Sequence, residues 1–443
     1  MSRASLESLA SLESGHAQKV ARVAGQLRDR TCGGHLSLRK RAVSHVVPKP
    51  NDLRHTDDKI DIADLDQILL IDPVRQICVA EAGVTFVDLV AATLPHGLVP
   101  MVVPELKTIT VGGAVAGCSL ESMSFRHGGF HDSCLEYEVV TAGGDVLTCT
   151  PHNEHALVFQ MMHGAFGTLG ILTKLTFQLV PAKPFVHVTY ESYRTLDDYL
   201  AAIRSHAAWH GVDFMDGIIH GASELVLSVG RFVDGAPYTH RYDRWRTYWK
   251  STATRRDDYL TTEQYLFRYD RGVTNVTPFL SSTTVLRLAQ RFHRWLPAER
   301  PRVTLDTFVP LSRVPAFFDW YCREIAFFPI WCVPYRRVRD YEWIAPAFFD
   351  GLEDDLFLDL AVYGMKQPPG MNVHRKFEEQ LARIGGLKTL ISHNYYSPEE
   401  FWAVWNKDNY NAVKRVTDPR NLFRDLYAKT CRAAHGLPSP AQT

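Results

Sequence analysis

No apolar run in this 443-residue chain approaches the roughly 18 residues that a membrane-spanning helix requires. Charge of either sign is not in excess: 49 Lys and Arg face 49 Asp and Glu. The broad basic surface expected of a nucleic-acid binder is therefore missing, and no nucleic-acid partner is expected. The eight cysteines (Cys32, Cys78, Cys118, Cys134, Cys149, Cys322, Cys332 and Cys431) form no CxxC pair and no metal-ligand spacing. That excludes a zinc centre or disulfide framework read from spacing, and fits buried thiols in a reducing compartment. Repeats and low-complexity runs are absent. The first 20 residues are rich in Ser, Glu and Ala and lack the apolar core of a signal peptide, so the expected location is cytoplasmic. What remains, 46% apolar and 22% charged, is an ordinary globular composition. The length suits two or three domains.

Against this plain background one segment stands out. An apolar strand from Leu98 to Val103 stops at Pro104, and Glu105 to Thr110 lead into Val111-Gly112-Gly113-Ala114-Val115-Ala116-Gly117. Residues without bulk let backbone approach a flat or phosphorylated ligand, and free N–H groups at a helix start attract anions. The competing reading is a tight turn followed by a closely packed helix, which is the commoner outcome for an isolated glycine pair. The flanks add context. Ile68–Asp72 and Gln76–Val84 predict two strands about a Pro73 turn. Thr85 with Asp88 opens a helix that Gly97 closes. Glu136–Thr141 and Val146–Thr150 flank Ala142-Gly143-Gly144-Asp145, a hairpin signal. A strand from Ile171 to Val180 then ends at Pro181.

The succession TVGGAVAG, SxxxRHGG, EYEVVTAGGDVL and GAFGTLGILTKLTFQLVPAK resembles the FAD-binding fold of the vanillyl-alcohol-oxidase (PCMH-type) superfamily. Within it the chain is similar to the Δ24-sterol reductases, which saturate a side-chain double bond of sterols. PIWCVPY, DLAVYG and YYSPEEFW extend the likeness, which runs from about Leu36 to about Cys431. The resemblance implies an α+β protein in three pieces: a PCMH-type FAD domain of two α/β subdomains (1–182), an antiparallel-sheet α+β substrate cap (183–400) and a C-terminal return (401–443). It implies FAD contacts at Pro104, Glu105, Thr110, Val111, Gly112, Gly113, Gly117, Cys118, Ser122, His127, Gly128, Gly167, Gly170 and Ile171.

Two features depart from that family. The hydrophobic N-terminal anchor of the eukaryotic sterol reductases has no counterpart in these residues. The glycine-rich pyrophosphate loop is also replaced, by Ser37-Leu38-Arg39-Lys40-Arg41-Ala42-Val43-Ser44-His45. Arg39, Lys40, Ser44 and His45 can clamp two phosphates, or the run is a solvated basic loop; its position favours the first. His45 is near the site of covalent flavin attachment but outside the usual spacing, so FAD is expected to be non-covalent.

Beyond residue 185, strands and helices alternate in the manner of an antiparallel sheet with helices on one face. The last strand of the series is expected at Thr389–His393. Aromatic and cationic residues interleave from Arg241 to Arg271, which suits either a peripheral lipid contact or packed core. An alkene with no adjacent carbonyl needs a hydride donor at one carbon and an acid for the other. The acids considered are Tyr363, His393, Tyr395 and Tyr396, with Tyr396 and Tyr363 favoured. Glu105 and His127 are expected to tune the flavin. The implied reaction is NADPH-driven reduction of a sterol or terpenoid alkene, a hydrophobic small molecule. An alcohol or sugar oxidase or dehydrogenase, and a flavin-binding protein without catalysis, stay open.

Overall fold

The structure is a computed structural model and describes residues 3–30, 33–41, 56–242, 247–270, 288, 291–292, 303–432 and 435. It is an α+β protein built on two main sheets. Strands β1 (Leu36–Arg39) and β2 (Asp58–Asp61) form a separate parallel pair. The first main sheet contains β3 (Ile68–Asp72), β4 (Ile77–Glu81), β5 (Leu98–Pro100), β6 (Cys134–Val140), β7 (Val146–Cys149) and β8 (Ile171–Pro181). Their order is β3-β4-β8-β6-β7, with β5 also on β8. Strand β8 is central, and from Thr173 to Val180 its residues alternate between buried and more exposed, the pattern of a strand covered on one face. Gly144 turns β6 into β7 at φ +84°, as the hairpin signal requires. Thr85 caps the Phe86–Thr93 helix by accepting from Asp88 N, and Gly97 follows in the left-handed region. The strand expected over Leu98–Val103 is shorter and ends at Pro100.

The first helix runs over Arg3–Arg28. Val20, Val23, Ala24 and Leu27 bury its inner face against Leu36, Ile60, Val140 and Ile171. His16, one turn earlier, is buried between Glu81 and Glu138, 2.8 Å from each.

The second sheet has nine strands: β9 (Phe185–Tyr193), β10 (Phe214–Gly221), β11 (Glu224–Val233), β12 (Asp257–Thr261), β13 (Val303–Leu305), β14 (Thr307–Pro310), β15 (Ile330–Arg336), β16 (Leu356–Met365) and β17 (Leu387–Lys388). The order is β12-β9-β11-β10-β15-β16-β14-β17, with β13 beside β16, and every pair is antiparallel. Helices Leu196–Ala208, Val314–Glu324 and Val373–Ile384 share a core with it through Tyr199, Ile203, Phe317, Tyr321 and Phe377. Another core joins the two sheets, containing both Phe177 of β8 and Phe214 of β10.

One expectation about this half needs revision. No strand covers Thr389–His393; β17 ends at Lys388. Asn394 explains the difference, because its side-chain amide donates to the Leu390, Ser392 and Thr430 carbonyls at 3.1, 3.1 and 3.2 Å. A local side-chain bond of this kind replaces the ladder a strand would need. The described part of the aromatic stretch packs inward: Tyr248, Tyr265, Phe267 and Tyr269 are buried. The Arg268 guanidinium lies 4.0 and 4.6 Å from the Tyr265 and Tyr269 ring centres. Trp245 is outside the described residues. Among the described residues, no helix is long and apolar enough to cross a membrane.

The chain ends against the first half. Lys414 Nζ donates to the carbonyls of Thr168 and Phe423, both at 2.7 Å, and pairs with Asp418 at the same distance.

Candidate functional site

The glycine segment behaves differently at its two ends. At the start of the Val111–Ala116 helix, Val111 N donates to Val84 O and Gly112 N to Ala82 O, each at 2.9 Å. Gly113 N donates to the capping Thr110 Oγ1 at 3.1 Å. The free N–H groups expected there for an anion are thus taken by protein acceptors. The cause is close docking on the 82–84 turn: a Cβ on Gly112 would fall 2.7 Å from Ala82 Cβ. The closely packed helix is the reading that holds at this end. At the other end, Gly164 N donates to Val115 O at 3.2 Å and Phe166 N to Ala116 O at 3.0 Å. This brings Gly117 and Cys118 beside Gly164 and Phe166, as the floor of a cavity.

The cavity opens to solvent, and its empty space, open solvent included, is about 750 Å³. The second sheet and its connections wall it with Phe308, Tyr335, Tyr341, Trp343, Phe349 and Phe357. Lys388, Thr389 and Leu390 lie on the same wall. His131 also lines it, 1% exposed; Nδ1 has no hydrogen-bond partner, and Nε2 only approaches Asp132 Oδ2 at 3.3 Å. Burial is the main cause holding the His131 pKa below its ordinary value, which keeps the ring neutral. Trp343 Nε1, also at the cavity, has no partner either. Behind His131, Asp132 accepts from Tyr341 OH at 2.9 Å and pairs with Arg339 Nε at 3.0 Å.

A flat heteroaromatic group fits these surroundings. The floor is free of side chains at Gly117 and Gly164, and a Cβ on Gly164 would lie 3.3 Å from Cys118 Sγ. The walls are aromatic, and the buried polar atoms without partners are ring nitrogens able to meet a polar edge. An isoalloxazine ring has these properties, and Gly117, Gly164, His131 and Trp343 are the residues that would hold it.

Thr389 connects the cavity to a deeper polar group. Its hydroxyl is 3.3 Å from Asp306 Oδ2, and Tyr363 OH donates to Asp306 Oδ1. Burial first, then the charges of Glu121 and Asp306, pushes the Glu105 carboxyl up to about 8. Asp306 and Asp359 are also raised, chiefly by burial, with Asp306 adding to the effect on Asp359. Arg268 pairs with Asp216 at 2.9 Å and with Glu121 at 3.2 Å.

Of the residues singled out in the sequence, Gly117 and Cys118 line the cavity. Glu105 and Tyr363, far apart in the chain, come within electrostatic reach of each other around Asp306. Thr110, Val111, Gly112 and Gly113 form the docked helix start, and Pro104 is buried ahead of it. Ser122 is buried, and its carbonyl accepts from Met215 N at 2.7 Å. His127 is held down to about 4 by burial and by Arg126. Gly128 has φ +74° beside Asp132. Gly167 has φ +68° near Lys429, Gly170 packs on Val139, and Ile171 is in the core with the first helix. None of Ser122, His127, Gly128, Gly167, Gly170 and Ile171 lines the cavity. Arg39 is 3.6 Å from Asp61, and Lys40 is exposed. Ser44 and His45 lie outside the described residues.

Tyr396 and His393 are also absent from the cavity lining. The Tyr396 ring meets Trp405 edge-on at 5.5 Å, and His393 packs on His374 at 5.3 Å. The residues missed in sequence are His131, Trp343, Thr389 and Asp306. His131 stood four positions beyond His127 in RHGGFHD, and Trp343 just beyond PIWCVPY, so motif proximity was the available signal. Thr389 and Asp306 carried none.

Residues 52–150 match the family model for the FAD binding domain. The chain is 26% identical to the Delta(24)-sterol reductase of Homo sapiens, over 84% of this chain and 77% of that protein. It is 24% identical to the Delta(24)-sterol reductase homolog of Caenorhabditis elegans, over 94% and 88%. Cytokinin dehydrogenase 6 of Oryza sativa subsp. japonica is 29% identical over 52% of this chain and 48% of its own. These likenesses support an FAD-binding oxidoreductase similar, over most of its length, to Delta(24)-sterol reductases.

Proposed function

We propose that this protein reduces a carbon–carbon double bond in the side chain of a sterol or terpenoid lipid, with non-covalent FAD as cofactor and NADPH as electron donor. The observation that carries the reading is the cavity. It joins the glycine floor of the FAD-binding half to aromatic walls from the second sheet, and likeness to Delta(24)-sterol reductases extends through both halves. Aromatic walls suit a rigid apolar substrate body, and a dry site protects a reduced cofactor from side reactions. Bound FAD would supply hydride at N5. The chain's own part is to exclude water, orient the alkene and hold a proton at the polar end of the cavity.

The partial match to a cytokinin dehydrogenase favours a second reading, oxidation of a small substrate by the same cofactor. It covers only about half of each chain, so the reductase reading is preferred. An anaerobic titration separates the two. Protein loaded with FAD is bleached with NADPH, and lipid alkenes are then offered as oxidants. Recovery of the yellow colour with an alkene supports the reductase. No recovery with any alkene, together with bleaching by an alcohol or amine alone, overturns it.

A further inference from the structure

We propose that Thr389 hands a proton to the substrate and that Asp306 behind it is the store from which that proton is drawn; this rests on the reductase reading above. Thr389 lines the cavity, and its Oγ1 is 3.3 Å from Asp306 Oδ2. The other Asp306 oxygen accepts from Tyr363 OH. Asp306 is thus connected to the cavity by one hydroxyl and oriented from behind by another. That a ligand belongs in the cavity is indicated independently by His131, buried on the same lining with Nδ1 lacking any partner and Nε2 making no hydrogen bond, only a 3.3 Å approach to Asp132 Oδ2.

A store must hold a proton, and burial raises the Asp306 pKa, against the lowering effect of the Tyr363 and Thr389 hydroxyls. Arg268 is already matched by Glu121 and Asp216. Glu105, Asp306 and Asp359 interact electrostatically with one another, and among the described residues none of the three has an ion-pair partner. Carboxyls crowded in this way cannot all ionise.

The transfer balances as follows. Hydride brings both electrons to one alkene carbon, and the Thr389 hydroxyl proton goes to the other. In the same step the Asp306 carboxyl proton moves to Thr389 Oγ1, so no alkoxide forms. Asp306 is left as a carboxylate, steadied by Tyr363 OH, and is reprotonated from solvent before the next turnover. Thr389 is the catalytic residue and Asp306 the positioning and proton-storing one.

The test uses the FAD-loaded protein with Thr389→Val, Thr389→Ser and Asp306→Asn. Thr389→Val and Asp306→Asn should slow reoxidation by a lipid alkene about 10²- to 10⁴-fold, the usual size of a general-acid contribution. Reduction by NADPH should be unchanged, and Thr389→Ser should restore reoxidation. Infrared spectra of the FAD-free protein at neutral pH should contain a protonated-carboxyl band that Asp306→Asn removes. Wild-type reoxidation by Thr389→Val, or a band unaltered in Asp306→Asn, overturns the relay while leaving the reductase reading intact. Failure of every alkene to reoxidise the wild type overturns both.

Discussion

Gly112 and Ala82 touch backbone to backbone: the Gly112 N–H donates to Ala82 O at 2.9 Å, and a Cβ at 112 would lie 2.9 Å from that same oxygen. The neighbouring Gly113 is much less constrained, since its Cβ would meet only Thr110 Oγ1, at 3.1 Å. The two glycines therefore separate under mutation. Gly112→Ala should destabilise the protein by about 1–3 kcal/mol, the range for overpacking a close contact. Gly113→Ala should stay within about 1 kcal/mol, because the helix-propensity gain offsets the crowding. Urea unfolding of the two variants measures the difference, and equal midpoints would refute the packing role given to Gly112.

That pair also explains how much the sequence revealed. The motif TVGGAVAG was legible as a helix start, and its neighbours Thr85, Gly97 and Gly144 take the conformations their residue types predict. Local chemistry fixes such features. The partner of Gly112 was not legible, because Ala82 is thirty residues away and only the tertiary docking brings them together. The same limit applies at the candidate site. Gly117 and Cys118 were reachable through their motif, whereas Thr389 and Asp306 gain meaning only when β14 and β17 pair. Tyr396 shared a motif with Phe401, which turns out to be one of its packing partners.

Glu105 should make stability fall as pH rises. Its folded pKa of about 8 lies above the ordinary carboxyl value, so the folded state holds a proton that the unfolded chain releases. By linkage, stability is greatest below the unfolded value of about 4.3 and declines as pH rises towards 8. Glu105→Gln keeps the neutral shape and removes this dependence. The stability advantage of the variant should therefore grow between pH 5 and 8 in thermal or urea unfolding. An advantage that stays flat or shrinks over that interval would show that the folded state holds no extra proton on Glu105.

His16 should contribute with the opposite kind of group but the same direction. Its two nitrogens each meet a carboxylate, Glu81 and Glu138, at 2.8 Å. Its pKa is raised despite burial, because both carboxylates favour the imidazolium. The contribution is full below about 6.5 and is lost as pH rises through the raised folded value. His16→Ala should cost about 1.5–3 kcal/mol at pH 6, the size of a hydrogen bond to a charged group. Unfolding curves should show the deficit narrowing on the alkaline side. A deficit independent of pH would reduce His16 to packing alone.

Flavin should be removable without breaking a bond. The expectation of non-covalent FAD rests on the unusual spacing of His45, and Cys118 at the cavity floor is pushed well above its ordinary thiol range by burial. A thiol that stays protonated is a poor nucleophile. Acid precipitation should leave all the yellow colour in the supernatant; flavin fluorescence retained by the denatured pellet would establish a covalent link.

Tyr396 and Tyr363 make opposite predictions for the pH profile of alkene-driven reoxidation. Tyr396 packs against Phe401 and against the lining residue Trp405, one layer behind the cavity, so Tyr396→Phe should change the rate less than about threefold. Tyr363 donates to Asp306 and thereby favours its carboxylate, one of the effects that lowers the Asp306 pKa against the larger effect of burial. Tyr363→Phe removes that support, so Asp306 should keep its proton to higher pH. The alkaline limb of the profile should then shift upward while NADPH reduction keeps its wild-type rate. Should Tyr396→Phe instead lower reoxidation about 10²-fold or more, with the Tyr363→Phe profile unmoved, the proton comes from the Tyr396 side and Asp306 is not its source.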